Sequence, residues 1–251
     1  MREPVATQAR RGWLLPVRPR GWWFDVALLA GFVALTVALA RGHLLSLDER
    51  VAEWSADHRP PAFYVLLRVL NYLGQGGQVL MPVGLILTGI LAYRIRSWRA
   101  VLPFVAAFVL TYITIGPLKI WADRAAPRFD GPEKAVLFNP YASGAKATSY
   151  PSGHMGNSLV WYAVIALLIG LLLRRPLRAW ESFAVRVLPV VVLFCTTVYT
   201  GFHWLTDSIA GVLLGLVLAR VIERVPWDAI PLPRWRGWTG PAGFTPRRRP
   251  A

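Results

Sequence analysis

The sequence predicts an all-α integral membrane bundle of six transmembrane helices, and three observations carry that prediction. The 251-residue chain is 55% hydrophobic and only 16% charged, whereas a soluble domain is nearer a quarter charged. Its apolar residues gather into six runs, each near the roughly 20 residues that a bilayer core requires. Its formal net charge of +15 is distributed unevenly, alternating loop by loop. The mean hydropathy of +0.43 excludes a disordered chain. A single cysteine, Cys195, excludes a disulfide framework. A soluble bundle of buried helices is the competing reading, and the length and number of the runs disfavour it.

The first span runs from about Trp22 to Ala40. The second, about Gln78 to Tyr93, is short, but Arg94 and Arg96 beside it can snorkel. The third is about Ala100 to Leu118, the fourth His154 to Leu173, the fifth Val187 to Phe202 and the sixth Leu205 to Val221. Pro82, Gly84, Pro103 and Pro189 within them are tolerated in bilayer helices. Around this membrane domain, residues 22–225, the chain has a basic N-terminus, 1–21, and a tail, 226–251, rich in Pro, Trp and Arg.

Charge then orients the spans. With the N-terminus cytoplasmic, the cytoplasmic segments hold 19 of the 28 basic and 5 of the 13 acidic residues, a net of +14. The outer segments hold the remaining 9 and 8, a net of +1. This asymmetry expects both termini in the cytoplasm of a multi-pass cell-membrane protein. A nucleic-acid partner, the other reading of a basic chain, gives no reason for charge to alternate. Ala38-Leu39-Ala40 resembles a signal-peptidase site, but the long basic leader and the length of the run favour a retained span.

Two outer loops are long. In residues 41–77, Leu44, Leu47, Val51 and Trp54 suggest an amphipathic helix lying on the membrane. Pro60-Pro61 breaks it, and a second helix follows towards Tyr72. The loop 119–153 is rich in turn formers. Polar residues converge at this outer level: Lys119 ends the third span, Ser152 and His154 open the fourth, and His203 and Asp207 lie where the fifth meets the sixth. Such groups are costly at a membrane and mark candidate sites. The i, i+4 spacing of His203 and Asp207 predicts one helix face, on which the carboxylate would fix the imidazole tautomer. Ser152 reads as an N-cap, with the Gly153 and His154 amides suited to an anion. For each residue taken alone, an ordinary cap or a snorkelling lysine is an equal competitor. Their convergence favours function. Metal-ligand and paired-carboxylate patterns are missing, and two histidines among cations suit phosphoryl transfer.

Three segments resemble the signatures of the type-2 phosphatidic acid phosphatase superfamily, the integral membrane lipid phosphate phosphatases. They are Lys119-Ile-Trp-Ala-Asp-Arg-Ala-Ala-Pro127, Pro151-Ser-Gly-His154 and Thr196-Thr-Val-Tyr-Thr-Gly-Phe-His203-Trp-Leu-Thr-Asp207. The resemblance spans about Arg41 to Val221. It implies that His203 attacks phosphorus to form a phosphohistidine, that Asp207 orients it, and that His154 protonates the leaving oxygen. Lys119, Arg124, Ser152 and Gly153 would hold phosphate oxygens, with no metal and no cofactor. Two departures stand out. Ala126 precedes Pro127 where the family usually has Arg, and Thr196-Thr197 replaces Ser-Arg. Arg128 and Lys146 are possible substitutes for the absent arginines. The expected enzyme is a metal-independent, outward-facing phosphatase of a polyprenyl phosphate or diphosphate, or of a phosphatidic acid-like lipid. A phosphotransferase that passes its group to a sugar or inositol is the alternative. A non-catalytic lipid-phosphate binder is the third, and the retained His–Asp pair argues against it. The sequence expects the bilayer and its lipid phosphates as partners and leaves the oligomeric state unspecified.

Overall fold

The computed structural model describes residues 19–142, 147–227 and 230. Most of the basic N-terminus, Lys146 and most of the tail lie outside the described residues. The described chain is helical, with no strand. Its elements are α1 (Trp23–Ala40), α2 (Leu45–Asp57), α3 (Pro61–Leu70), α4 (Met81–Ile95), α5 (Leu102–Ala122), α6 (Gly153–Leu173), α7 (Ala179–Arg186), α8 (Leu188–Tyr199) and α9 (Leu205–Arg224). A 3₁₀ turn, Asn71–Gly74, and a π turn, Gly76–Leu80, join α3 to α4.

Six helical stretches are long and apolar enough to cross a membrane: α1, Gly76–Ile95, Trp98–Ala122, α6, Ala179–Tyr199 and α9. The six expected spans are therefore present, with one displaced boundary. The fifth starts at Ala179 rather than near Val187, because α7 leads directly into α8. Glu181 made that stretch look like a loop, yet its carboxylate accepts from the Arg175 guanidinium at 2.6 Å and from the Arg178 backbone N–H at 2.8 Å. Pro61, Pro82, Pro103 and Pro189 each stand in the first two positions of a helix. There the missing N–H costs nothing and the fixed φ is already helical.

The two central helices are α6 and α9, the most deeply buried of the spans, while the other four turn most of their surface outwards. Glycine lets the pair approach closely. A Cβ on Gly211 would come 2.5 Å from the Ser152 carbonyl oxygen, and one on Gly215 would come 2.9 Å from Gly156 Cα. Small residues four apart are the usual way for bilayer helices to make van der Waals contact. At the opposite end, Asp25 of α1 accepts from Arg220 Nε at 2.7 Å and also pairs with Arg224. This ties the first span into the bundle. The α2 helix turns Asp48 and Ser55 inwards and leaves Leu44, Leu47 and Trp54 exposed. Glu49, Arg50 and Glu53 are exposed on the same helix.

Candidate active site

The site is assembled by the starts of α6 and α9, the end of α5 and two connecting segments. Ser152 caps α6, its hydroxyl accepting from the Met155 N–H at 3.4 Å. Its own N–H donates to the Asp207 carbonyl at 2.9 Å, pinning the start of α6 to the start of α9. Lys119, in the last turn of α5, donates from Nζ to the Thr148 carbonyl and, at 3.4 Å, to that of Ser149. A Cβ on Gly153 would sit 3.0 Å from Lys119 Cε, so glycine admits the lysine to the helix start.

His203 departs from its expected place. It lies in the turn between α8 and α9, one residue before the N-cap Trp204, and not on a shared helix face with Asp207. The physical reason is that Asp207 occupies the third helical position. There its Oδ2 accepts the Trp204 backbone N–H at 3.0 Å, so its carboxylate caps the helix. The same oxygen lies 3.7 Å from His203 Nδ1, beyond a hydrogen bond. Catalytic hydrogen bonds are often this long in unliganded enzymes.

On its other side His203 Nε2 faces His154 Nδ1 at 3.2 Å, with the two rings at 70°. His154 Nε2 lies 3.5 Å from Asn71 Nδ2, and the Asn71 Oδ1 accepts from the Thr196 hydroxyl at 3.5 Å. One assignment of protons satisfies the chain. Asn71 donates to His154 Nε2, His154 Nδ1–H donates to His203 Nε2, and His203 Nδ1–H points at Asp207. Burial holds the His203 imidazole below its ordinary value, and the Lys119 cation adds to this against the pull of Asp207. His203 is therefore neutral, with Nε2 available.

These groups open onto a cavity of about 310 Å³, lined by Lys119, Gly153, His154 and His203, with Gln75 and Asn157 among its neutral polar groups. Lys119 is the one cation lining it among the described residues. Ala126 lines the wall where an arginine was expected. Thr197 is buried, its hydroxyl turned back to the Leu193 carbonyl at 2.7 Å.

Three expected phosphate ligands stand elsewhere. Arg124 is fully buried away from the cavity lining. It donates to Ala135 O at 2.8 Å, Thr206 Oγ1 at 2.8 Å, Asp207 Oδ1 at 2.6 Å and Asp48 Oδ2 at 2.7 Å. Its guanidinium is spent on two carboxylates, one of them Asp207. Ser152 is also fully buried, its hydroxyl used in the cap, and only the adjoining Gly153 lines the cavity. Arg128 is screened from the cavity by Phe202, with Cζ 4.3 Å from that ring centre. Lys146 lies outside the described residues.

Asp48, Thr206 and Asn71 escaped the sequence reading. Asp48 also accepts from the Thr206 N–H at 3.0 Å, linking α2 to the start of α9. Its one signal was a carboxylate on the polar face of an amphipathic helix. Asn71 had none, because its partner is 83 residues away.

A helical membrane bundle with two histidines, a buried carboxylate and a lysine around one cavity defines a class, the polytopic membrane enzyme with a phosphoryl-sized polar site. A family model described as the PAP2 superfamily matches residues 100–231, more than half of the chain. The chain belongs to that superfamily, and so to a family of hydrolases acting on lipid phosphates. It is 27% identical over 201 residues to Phosphatidylglycerophosphatase B of Bacillus subtilis (strain 168), covering 79% of this chain and 92% of that protein. Its fold is similar to the crystal structure of a transmembrane PAP2 type phosphatidylglycerolphosphate phosphatase from Bacillus subtilis. The TM-score is 0.64 at 24% identity, over 80% of this chain and 94% of that one.

Proposed function

We propose that the protein hydrolyses a lipid phosphate through a phosphohistidine on His203. The observation that carries this is the His154–His203 contact at 3.2 Å on the cavity wall, with Asp207 behind His203. A phosphoryl group entering the cavity would part the two rings. His203 Nε2 would supply its lone pair to phosphorus while the bond from phosphorus to the lipid oxygen breaks. His154, doubly protonated once it takes up the proton that a phosphomonoester monoanion brings, would give its Nδ1–H proton to that oxygen and be left neutral, and Asp207 would stabilise the imidazolium-like ring of His203 through Nδ1. Lys119 and the Gly153 N–H, at the start of α6, would hold the phosphoryl oxygens. Water activated by His154 would then break the P–N bond, releasing inorganic phosphate and restoring both rings.

A phosphatidylglycerophosphate-like or phosphatidic acid-like monoester and a polyprenyl phosphate or diphosphate are the substrates this reading offers. The first follows from the relative's name. We place the cavity on the extracytoplasmic face. Arg94, Arg96, Arg99, Arg174, Arg175, Arg178, Arg220 and Arg224 stand at the opposite ends of the spans, and basic residues favour the cytoplasm. The test is phosphate release from these lipids in detergent with a chelator present. Wild-type release that His203→Ala abolishes supports the reading, and equal release from both rejects it.

One observation favours a second reading. With Ala126 and Thr197 in place of guanidiniums, Lys119 is the one cation on the wall among the described residues. A phosphodiester, which carries a single charge, needs less compensation than a monoester dianion. Transfer of a phospho-headgroup to an alcohol fits that site. Labelled glycerol or inositol at high concentration discriminates the two: label in a phosphate ester, with release of the lipid alcohol, supports transfer, and phosphate release alone rejects it.

A further inference from the structure

Phe202 lines the catalytic cavity, and a cluster of arginines is packed against the same ring. Arg128 Cζ lies 4.3 Å and Arg68 Cζ 5.7 Å from its centre. The His154 ring centre is 6.0 Å from that of Phe202, so a single aromatic ring separates these cations from the imidazole. Both guanidiniums also converge on Tyr64. Arg128 donates to its hydroxyl, and the Arg128 and Arg68 carbons stand 5.5 and 5.9 Å from its ring centre. Arg59 completes the group, 5.5 Å from the Tyr64 ring centre. Its buried Nε has no hydrogen-bond partner. The cluster also touches the turn that carries His203. Gly201 there has φ +71°, and a Cβ on it would come 3.5 Å from Arg128 Cγ and 3.6 Å from Arg59 Nη2.

Gathering three guanidiniums around one phenol ring is electrostatically unfavourable, and cation–π contacts offset only part of that cost. An anion among them reverses the balance. The planar fork of arginine matches phosphate oxygens in pairs, so phosphate is the anion the cluster suits best. The hollow of about 250 Å³ beside it, which Arg59 and Arg128 share with Lys134, also holds Glu49 and Glu53. A phosphate therefore finds the more favourable approach from the Phe202 side, next to the cavity. The guanidiniums missing from the positions of Ala126 and Thr197 are thus present one ring away.

We propose that Arg59, Arg68 and Arg128 form a second anion station that holds the non-reacting phosphate of a substrate carrying two phosphate groups. This rests on the reading above, in which the cavity takes the reacting phosphoryl group. A lipid diphosphate offers such a second phosphate, as does a phosphomonoester joined to its lipid through a phosphodiester.

The test compares farnesyl diphosphate with farnesyl monophosphate in neutral detergent micelles, for the wild type, Arg68→Gln and Arg128→Gln. The quantity read is the ratio of kcat/KM for the two substrates within each preparation, which is independent of the folded fraction. The station predicts that the ratio falls by about tenfold or more in each variant, mainly through KM of the diphosphate, the scale of one charge-assisted contact. An unchanged ratio overturns it. A repeat in nanodiscs with and without phosphatidylglycerol identifies the source of the phosphate. If the variants lose stimulation by the anionic lipid and keep the ratio, the cluster binds bilayer headgroups and the proposal is overturned. Wild-type release from neither substrate defeats the phosphatase reading and the station with it. Release from both with an unshifted ratio defeats the station alone.

Discussion

His203 sits in a turn behind a helix cap, and that position sets how it titrates. In the proposed reaction its reactive form is the neutral imidazole. Burial holds its pKa below the ordinary 6.5, so the neutral form persists as the pH falls through that value. The acid limb of the kcat/KM profile should have its midpoint below pH 6.5. A midpoint above it would mean that the limb does not report a buried His203 nucleophile. Asn71 supplies a second prediction. Asn71→Ala removes the donor to His154 Nε2 and should lower kcat by about tenfold with little change in KM. Asn71→Asp should cost more than the alanine. A carboxylate accepts from Nε2–H, which reverses the His154 tautomer and takes the proton from the nitrogen that faces His203. Steady-state kinetics of both variants checks this order. At this scale the sequence was informative where chemistry names a residue and silent where folding chooses its partners. His154, His203, Asp207 and Lys119 were legible from residue type and level. Arg124 was read as a phosphate ligand because a cation near a phosphate site invites that role. Only the fold reveals that Asp48, 76 residues away, and Asp207 claim it first.

The decisive contact between elements is that of α6 with α9, because it sets the distance between His154 and His203. Gly211→Ala places a Cβ 2.5 Å from the Ser152 carbonyl oxygen, and backbone cannot swing aside as a side-chain tip can. The helices must separate, at a cost of about 1–3 kcal/mol. Both the thermal midpoint and kcat should fall. Gly89→Ala in α4 is the control: nothing lies within 4 Å of its Cβ position, so it should leave the midpoint level or raise it slightly. Equal effects of the two substitutions would contradict the close-packing argument. The spans themselves were legible as apolar runs, and α2 and α3 as an interrupted amphipathic pattern. The register of α7 with α8 was not, since Glu181 reads as a loop charge until its pairing with Arg175 is seen. Pro82, Pro103 and Pro189 were read as tolerated inside bilayer helices, although each stands at a helix start that suits it.

Across the whole molecule, the arginine-rich short connections and the histidine chemistry lie at opposite ends of the bundle. The arginines of the short connections and the Asp25–Arg220–Arg224 link stand at one end, and the histidine cavity at the other. The charge pattern was fully legible in the sequence, because it depends on which loops carry arginine and on nothing that packing decides. The shape of the cavity was not. Gln75 and Asn157 enter it from a turn and a helix face that no motif marks. The PAP2 membership of the chain fits this division, with a helical frame in which the histidines and the carboxylate are brought together by the helix ends. The most direct test of the central claim is to trap the intermediate. Purified protein would be mixed with a lipid phosphate labelled on phosphorus, quenched in alkali within a turnover, digested and mapped by mass spectrometry. A phosphohistidine mechanism predicts a base-stable, acid-labile phosphate on His203, absent in His203→Ala and accumulating in His154→Ala supplied with a substrate whose leaving group needs no proton. Turnover with no phosphate on His203, or with the label on another residue, would contradict it.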